Sequence, residues 1–468
     1  MKKKGKKPSA IYMRGKWFIA VVPIVILSIV ILALSLGRKG TPEDTALKVG
    51  TQQVSAAVCN YYLKAYLTEM QQSYGDLVTE LIDFSKPLDQ QTYPLDTTKT
   101  WADVIFDDME KTIARDYALY DAALADGYKL TQADMDEVDT YIHNQLVLGQ
   151  MAGYEDLDTY LADYYGAGCC EENCRAYRIV KTVAAKYQAS QVFSVSKEEI
   201  EQEYQKNSAA YDTYSYRSYF FSSGTYGKVE AKRLAEDMMV RSQGKEYEFI
   251  SFAQQTDKKQ TGSPSKKDAT LSEDVKGNTI ASLAREWVTD PIRTYGDCTV
   301  LPYGEYGFYV YFFLQRNTHL EKTVDVIHIF VDAQQAEDET QWAVLEKKAL
   351  QMREEILAAG GSAEDFSHKA AEYANSKTQG YLYGVYPGQL SESMDNWCFE
   401  KTRAVGDSTV VRTQSGYQVM YLAAFGDSYR DVLVRQTLES AKQNQWEEDL
   451  INSYRVTKVA RGYRAVAF

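Results

Sequence analysis

Apolar residues recur at helical spacing from Thr41 to about Tyr211 and at alternating, strand-like spacing beyond it. The stretch ALKVGTQQVSAAV at Ala46–Val58 predicts a short strand, a turn at Gly50 and the start of a helix. Thr100 then caps a long helix whose stripe Ile105, Met109, Ile113, Tyr117, Tyr120, Leu124 keeps to one face, and Gly127 ends it. Thr131 with Asp134 and Ser196 with Glu199 have the spacing of further capping boxes. Polar loops such as DFSKPLDQQTYPLDTTK separate these helices.

After Tyr211 the order strand, helix, polar loop, strand occurs twice. The first pass runs YSYRSYFFSS, a helix near Val229–Gln243, the loop KKQTGSPSKKD, and GFYVYFFL at Gly307–Leu314. The second runs VDVIHIFVDA at Val324–Ala333, a helix over Thr340–Ala359, another from Ala363, and GYQVMYL at Gly416–Leu422. WVTDPIRTYGDCTVL and WCFEKTRAVGDSTVV align at a constant offset, Trp287 on Trp397, Arg293 on Arg403 and Asp297 on Asp407, so two copies of one α+β unit follow the helical module. In the tail, Leu438, Ala441, Trp446 and Leu450 predict one more helix able to pack back on the helical module, and YRVTKVARGYRAVAF predicts a closing strand.

The first 39 residues depart from both textures. A basic head precedes a run from Trp17 to Leu36, 20 residues with almost no charge, long enough to cross the hydrocarbon as a helix. An uncleaved anchor is the favoured reading; a cleaved signal peptide, with Ala33–Ser35 as its small-residue site, is the alternative. Lys2, Lys3, Lys4, Lys6, Lys7, Arg14 and Lys16 outweigh Arg38 and Lys39, which predicts a cytoplasmic N-terminus and a cell-membrane protein whose bulk is extracytoplasmic. The expected partition is 1–39 tail and anchor, 40–210 helical module, 211–318 first α+β unit, 319–426 second unit, and 427–468 C-terminal helix and strand.

Charge narrows the partners. With nine cations before Gly40, 43 basic residues face 65 acidic ones after it, a net of −22 that argues against nucleic acid. Of six cysteines, Cys169, Cys170 and Cys174 cluster in GCCEENC. Cys170 and Cys174, one helical turn apart, suit a metal, a labile disulfide or plain thiols on a helix, and nothing at zinc-finger spacing accompanies them.

The second unit resembles the parvulin (rotamase) prolyl isomerases, and the chain as a whole resembles PrsA/SurA-type extracytoplasmic foldases. HIFV is similar to the family's opening strand, GSAEDFSHKAAEYA to its first long motif, and GYLYG to its glycine-rich turn. GQLSESMDNWCF is similar to its pocket helix, and VGDSTVVRTQSGYQVMYL to its closing strand. The resemblance implies a proline slot at Leu390, Met394 and Phe399 over a polar floor whose first histidine is His328. Gln418 replaces the second histidine, and the position of the family's Cys or Asp falls near Asn375. The first unit is more eroded, with Ser218 at the place of His328, Tyr309 at that of Gln418, Ala284 at that of Met394 and Thr289 at that of Phe399.

Prolyl isomerisation needs a gripped ring and groups that favour the twisted amide, and neither a metal nor a cofactor. The expectation is a membrane-anchored foldase binding unfolded exported polypeptides, with weak or vestigial isomerase activity at His328 and Gln418. The alternatives are a holdase without activity and an envelope scaffold for one partner; on either, His328 is only a satisfied strand residue.

Overall fold

The computed structural model describes residues 40–336, 338–374 and 380–468. The anchor at 17–36 and the position near Asn375 lie outside them. Among the described residues no helix is long and apolar enough to cross a membrane.

The chain forms two compact units, one reaching Phe193 and including Ala441–Phe468, the other Ser194–Ser440. In the first, helices Ala56–Tyr74, Trp101–Ala125, Gln132–Met151 and Glu171–Ser190 enclose a core containing Tyr61, Ile105, Phe106 and Ile113. Thr131 with Asp134 forms the reciprocal cap that the sequence spacing predicts, and Thr100, expected as a cap, forms one with Asp103. The tail returns here: Glu447 meets Arg115 and Gln188, and Tyr463 and Phe468 pack their rings on Phe106. Only Val456–Lys458 of the predicted closing strand is extended. It adds to Thr45–Val49 as the third strand of a small antiparallel sheet, and Ala460–Tyr463 is helical, with Gly462 close against the backbone of Thr45 on the central strand.

The second unit contains the two repeats. In the first, β1 (Thr213–Ser222), α1 (Lys228–Ser242), α2 (Glu246–Thr261), β2 (Leu271–Lys276), α3 (Ser282–Thr289), β3 (Cys298–Tyr303) and β4 (Gly307–Asn317) give the antiparallel order β2-β1-β4-β3. In the second, β5 (Lys322–Asp332), α4 (Glu339–Ala359), α5 (Ala363–Ala374), β6 (Tyr381–Val385), α6 (Glu392–Cys398), β7 (Ser408–Arg412) and β8 (Gly416–Ser428) give β6-β5-β8-β7, the same topology.

Strand alternation sorts each sheet into two faces. In the second repeat Ile327, Ile329, Val331, Tyr417, Val419 and Tyr421 meet α4 and α5 through Met352, Ile356 and Phe366. The opposite face carries Val326, Met420 and Leu422 and is covered by Met394 and Cys398 of α6. The shared Trp, Arg and Asp fasten this cover in both repeats. Arg403 lies over the Trp397 ring, 4.5 Å from its centre, and pairs with Asp407 at 3.3 Å; Arg293 lies 5.1 Å from the centre of Trp287 and pairs with Asp297 at 3.5 Å. The backbone of Asp407 is hydrogen-bonded to Leu422, so the clamp ties the α6 connection to β8.

Candidate active site

The imidazole of the second repeat is placed by register. His328 on β5 stands directly opposite Met420 on β8, and Gln418 opposite Phe330, so the two polar residues are diagonal neighbours on one face. Their side chains meet: Gln418 Oε1 lies 2.9 Å from His328 Nδ1. With the amide oxygen as acceptor, Nδ1 carries the proton and the Nε2 lone pair is left for another partner. On the other side of β5 the His328 amide donates to the Gly380 carbonyl at 2.9 Å. Gly380 has φ +78°, and a Cβ there would sit 2.6 Å from the His328 carbonyl oxygen, so only glycine lets the chain enter β6 this close to the histidine strand.

Leu390, Met394 and Phe399 all join the apolar cluster on this face, with Val324, Val326, Met420 and Leu422. The structure therefore brings together His328, Gln418 and the three slot residues. It corrects their placement on one helix: α6 begins at Glu392, so Leu390 sits in the preceding turn and Phe399 is the C-cap. The Pro387-Gly388 turn is the cause, since the Gln389 side chain and the Asp395 carboxylate hold that turn outside the helix.

Met420, Phe330 and Leu382 are further members of this face that the resemblance did not single out. Each reads as ordinary strand hydrophobicity, and the available signal is parity: Phe330 is two residues from His328, and Met420 two from Gln418. Cys398 is buried in the same cluster, and burial pushes its thiol up to about 12, which keeps it neutral. The thiols at Cys169, Cys170 and Cys174 are free and belong to the first unit; Cys170 is a helix N-cap and Cys174 is buried in that helix. Among the described residues no cluster of His, Cys, Asp or Glu could hold a metal.

The first repeat has no equivalent slot. Ser218 stands opposite Tyr311 and Phe220 opposite Tyr309, which places Tyr309 where Gln418 lies and Tyr311 where Met420 lies. Rings pack across this face: Phe220 and Tyr309 are 4.6 Å apart, Tyr216 and Tyr311 5.7 Å, and Trp287 and Tyr311 6.4 Å. Ala284 is buried under them, and Thr289 ends α3 on the surface.

Comparison with known proteins bears on the same segment. Residues 328–424 match the rotamase family, described as the PPIC-type PPIase domain. No curated protein matches the chain. Among solved structures it is similar to peptidylprolyl isomerase (PrsA) from Bacillus cereus, at 20% identity and TM-score 0.18, over 29% of this chain and 50% of that one. It is also similar to peptidylprolyl isomerase (PrsA) from Bacillus anthracis, at 12% identity and TM-score 0.19, over 56% of this chain and 88% of that one. The chain thus spans about half the length of the first and most of the second. Residues 328–424 are a rotamase domain, and it is in this domain that His328, Gln418 and the slot residues converge.

Proposed function

We propose that the chain is a membrane-anchored extracytoplasmic folding factor that binds unfolded exported polypeptides and catalyses prolyl cis–trans isomerisation weakly in its second repeat. The observation that carries this reading is the His328–Gln418 pair on the same sheet face as Leu390, Met394 and Phe399. Rotation about a peptide bond crosses a barrier of ~18–20 kcal/mol, and the reaction makes or breaks no covalent bond. What lowers the barrier is tighter binding of the twisted amide than of either planar form. The apolar cluster provides a seat for the pyrrolidine ring. The imidazole, oriented through Nδ1, presents a polar edge to the amide whose conjugation is being lost.

Gln418 sets the expected strength. A glutamine orients the imidazole by a hydrogen bond but cannot share a titrating proton with it, so the pair polarises the amide less than two histidines would. Activity is therefore expected to be low. This replacement, with the ring-filled face of the first repeat, is what favours the second reading, a holdase or envelope scaffold that grips client segments without turning them over. The anchor is assigned to residues 17–36, with the N-terminus in the cytoplasm.

The test is a protease-coupled isomerisation assay on short X-Pro peptides with the whole extracytoplasmic chain. A rate above buffer that falls in His328→Ala and rises in Gln418→His supports the isomerase reading. A wild-type rate equal to buffer and unchanged by either substitution leaves the holdase reading in its place.

A further inference from the structure

The two repeats, both within the second unit, are joined between β4 and β5 by residues 318–321, and a histidine in this link is held from both sides. His319 Nδ1 lies 3.1 Å from the Glu321 carboxylate, and Nε2 lies 3.1 Å from the hydroxyl of Thr213 on β1 of the first repeat. The carboxylate can only accept, so Nδ1 carries a proton, and with Thr213 on Nε2 both edges of the ring are fixed. The side chain is 13% exposed. The backbone is pinned as well: the His319 amide donates to Asn317 Oδ1 at 3.0 Å, and its carbonyl accepts the Arg430 amide at 2.8 Å. His319 has φ +52°, and Asp274 on β2, whose carboxylate lies 3.5 Å from the same Thr213 hydroxyl, has φ +49°. Among the described residues these are the two non-glycine residues in the left-handed region. Such conformations persist where their surroundings over-determine them, and these two flank one hydroxyl.

From the imidazole a run of rings leads toward the slot. Tyr429 meets His319 edge to face, with centres 5.4 Å apart and planes at 78°, and stacks flat on Tyr386, with centres 4.0 Å apart and planes at 8°. Tyr386 opens the Pro387-Gly388 turn: its amide donates to Gln389 Oε1 and its carbonyl accepts the Gln389 amide, both at 3.2 Å. The next residue is Leu390. Met394 lies within α6, Phe399 caps it and Met420 lies on β8, so Leu390 is the slot residue whose place depends on what holds this turn. We propose that His319 is a positioning residue for the proline slot, an inference that rests on the isomerase reading above. Anchored on Thr213 and Glu321, its ring sets where Tyr429 stands, Tyr429 sets the Tyr386 ring, and Tyr386 sets the turn that presents Leu390. Two polar edges and a flat face are needed at once, which imidazole supplies and a side-chain amide or a plain phenyl ring does not. The first repeat, which has no slot of its own, thereby braces the slot of the second.

Variants of residues 40–468 test it, read by methyl NMR at Leu390 and Met420 and by the isomerisation assay on X-Pro peptides. His319→Phe keeps a ring without polar edges, Thr213→Val removes the hydroxyl contributed by the other repeat, and Tyr429→Leu removes the stack; Thr213→Ser and Tyr429→Phe keep what the first three variants lose. The Leu390 methyls are expected to shift in His319→Phe, Thr213→Val and Tyr429→Leu and to keep their wild-type positions in Thr213→Ser and Tyr429→Phe, while the Met420 methyl stays in place throughout. KM is expected to rise about threefold in the three shifted variants with kcat unchanged, since a wall of the seat moves and the His328–Gln418 pair does not. Leu390 unmoved in both His319→Phe and Thr213→Val overturns the proposal, as does Met420 shifting together with Leu390, the mark of general loosening, or a fall in kcat at constant KM. If Leu390 follows the expected pattern while the wild type turns over no X-Pro peptide, the isomerase reading fails and the positioning of the turn by His319 stands.

Discussion

Met394→Ala is the perturbation that bears on both the fold and the slot. Met394 is 7% exposed and packs with Val326, Met420 and Leu422 under the α6 cover. Truncation removes three heavy atoms beyond Cβ, worth about 2 kcal/mol at ~0.8 kcal/mol per methylene-sized group, and measured Met→Ala losses run from ~2 to 5 kcal/mol once the cavity is included. Because α6 is a seven-residue helix at the edge of the cluster and can settle inward, the low end is expected, roughly 2 to 3 kcal/mol. Hydrogen exchange read by mass spectrometry over β5 and β8 resolves this without requiring the two units to unfold together. A loss of 2 kcal/mol speeds globally protected amides about 30-fold. Met394→Leu keeps the volume and should stay within ~1.5 kcal/mol of wild type. In the isomerase assay Met394→Ala should raise KM more than it lowers kcat, the mark of a lost seat rather than a lost polar group. Protection unchanged to within about 0.5 kcal/mol would refute the packing argument. Lost protection with unaltered peptide binding would refute the assignment of the slot.

Gly380→Ala is expected to cost more than the ~1–2 kcal/mol of a left-handed backbone alone, because the added methyl also meets the His328 carbonyl and Ala370; faster exchange at the His328 amide, which bonds Gly380, is the readout. Arg403→Lys keeps the charge but loses the planar stack on Trp397 and the guanidinium hydrogen bonds to Asp407 and the Trp397 carbonyl, and should lower stability by about 1 kcal/mol in denaturant melts. In the first unit, the Lys186 ammonium and the Thr131 cap hold the Asp134 carboxyl well below its usual range. Its contribution to stability is therefore complete above the unfolded value of about 3.9 and is lost as pH falls toward the depressed folded one. Acid titrations should show Asp134→Asn flattening the loss of stability below about pH 4; an identical acid slope in wild type and variant would rule the pair out.

Local chemistry was legible in the sequence wherever one residue type at a fixed spacing does the work. Thr131 and Ser196, each with an acid three residues on, announced caps that the structure contains, as did Thr100 at its helix start. The repeat was legible through Trp, Arg and Asp because one clamp is built from all three. Its constant offset fails in the last hairpin: Leu301 pairs with Tyr309 but Val411 with Gln418, so the second repeat turns in one residue fewer. His328 and Gln418 could be paired in advance because strand parity and motif order agree. Leu390 could not be placed, since an apolar residue two positions before a helix start reads like one inside it, and a proline turn decides the difference. The union of Val456–Lys458 with Thr45–Val49 was hidden for another reason, that pairing across some four hundred residues leaves no periodic trace in either strand.

The central claim is that a client proline sits on the face shared by His328, Met394 and Met420. Methyl-methionine NMR on residues 40–468 tests it directly, because Met394 and Met420 lie on that face while Met352 lies across the sheet and Met238 in the first repeat. On adding an X-Pro peptide, the account predicts shifts confined to Met394 and Met420, reduced by His328→Ala. Shifts at Met352 or Met238 with Met394 and Met420 unmoved would contradict it.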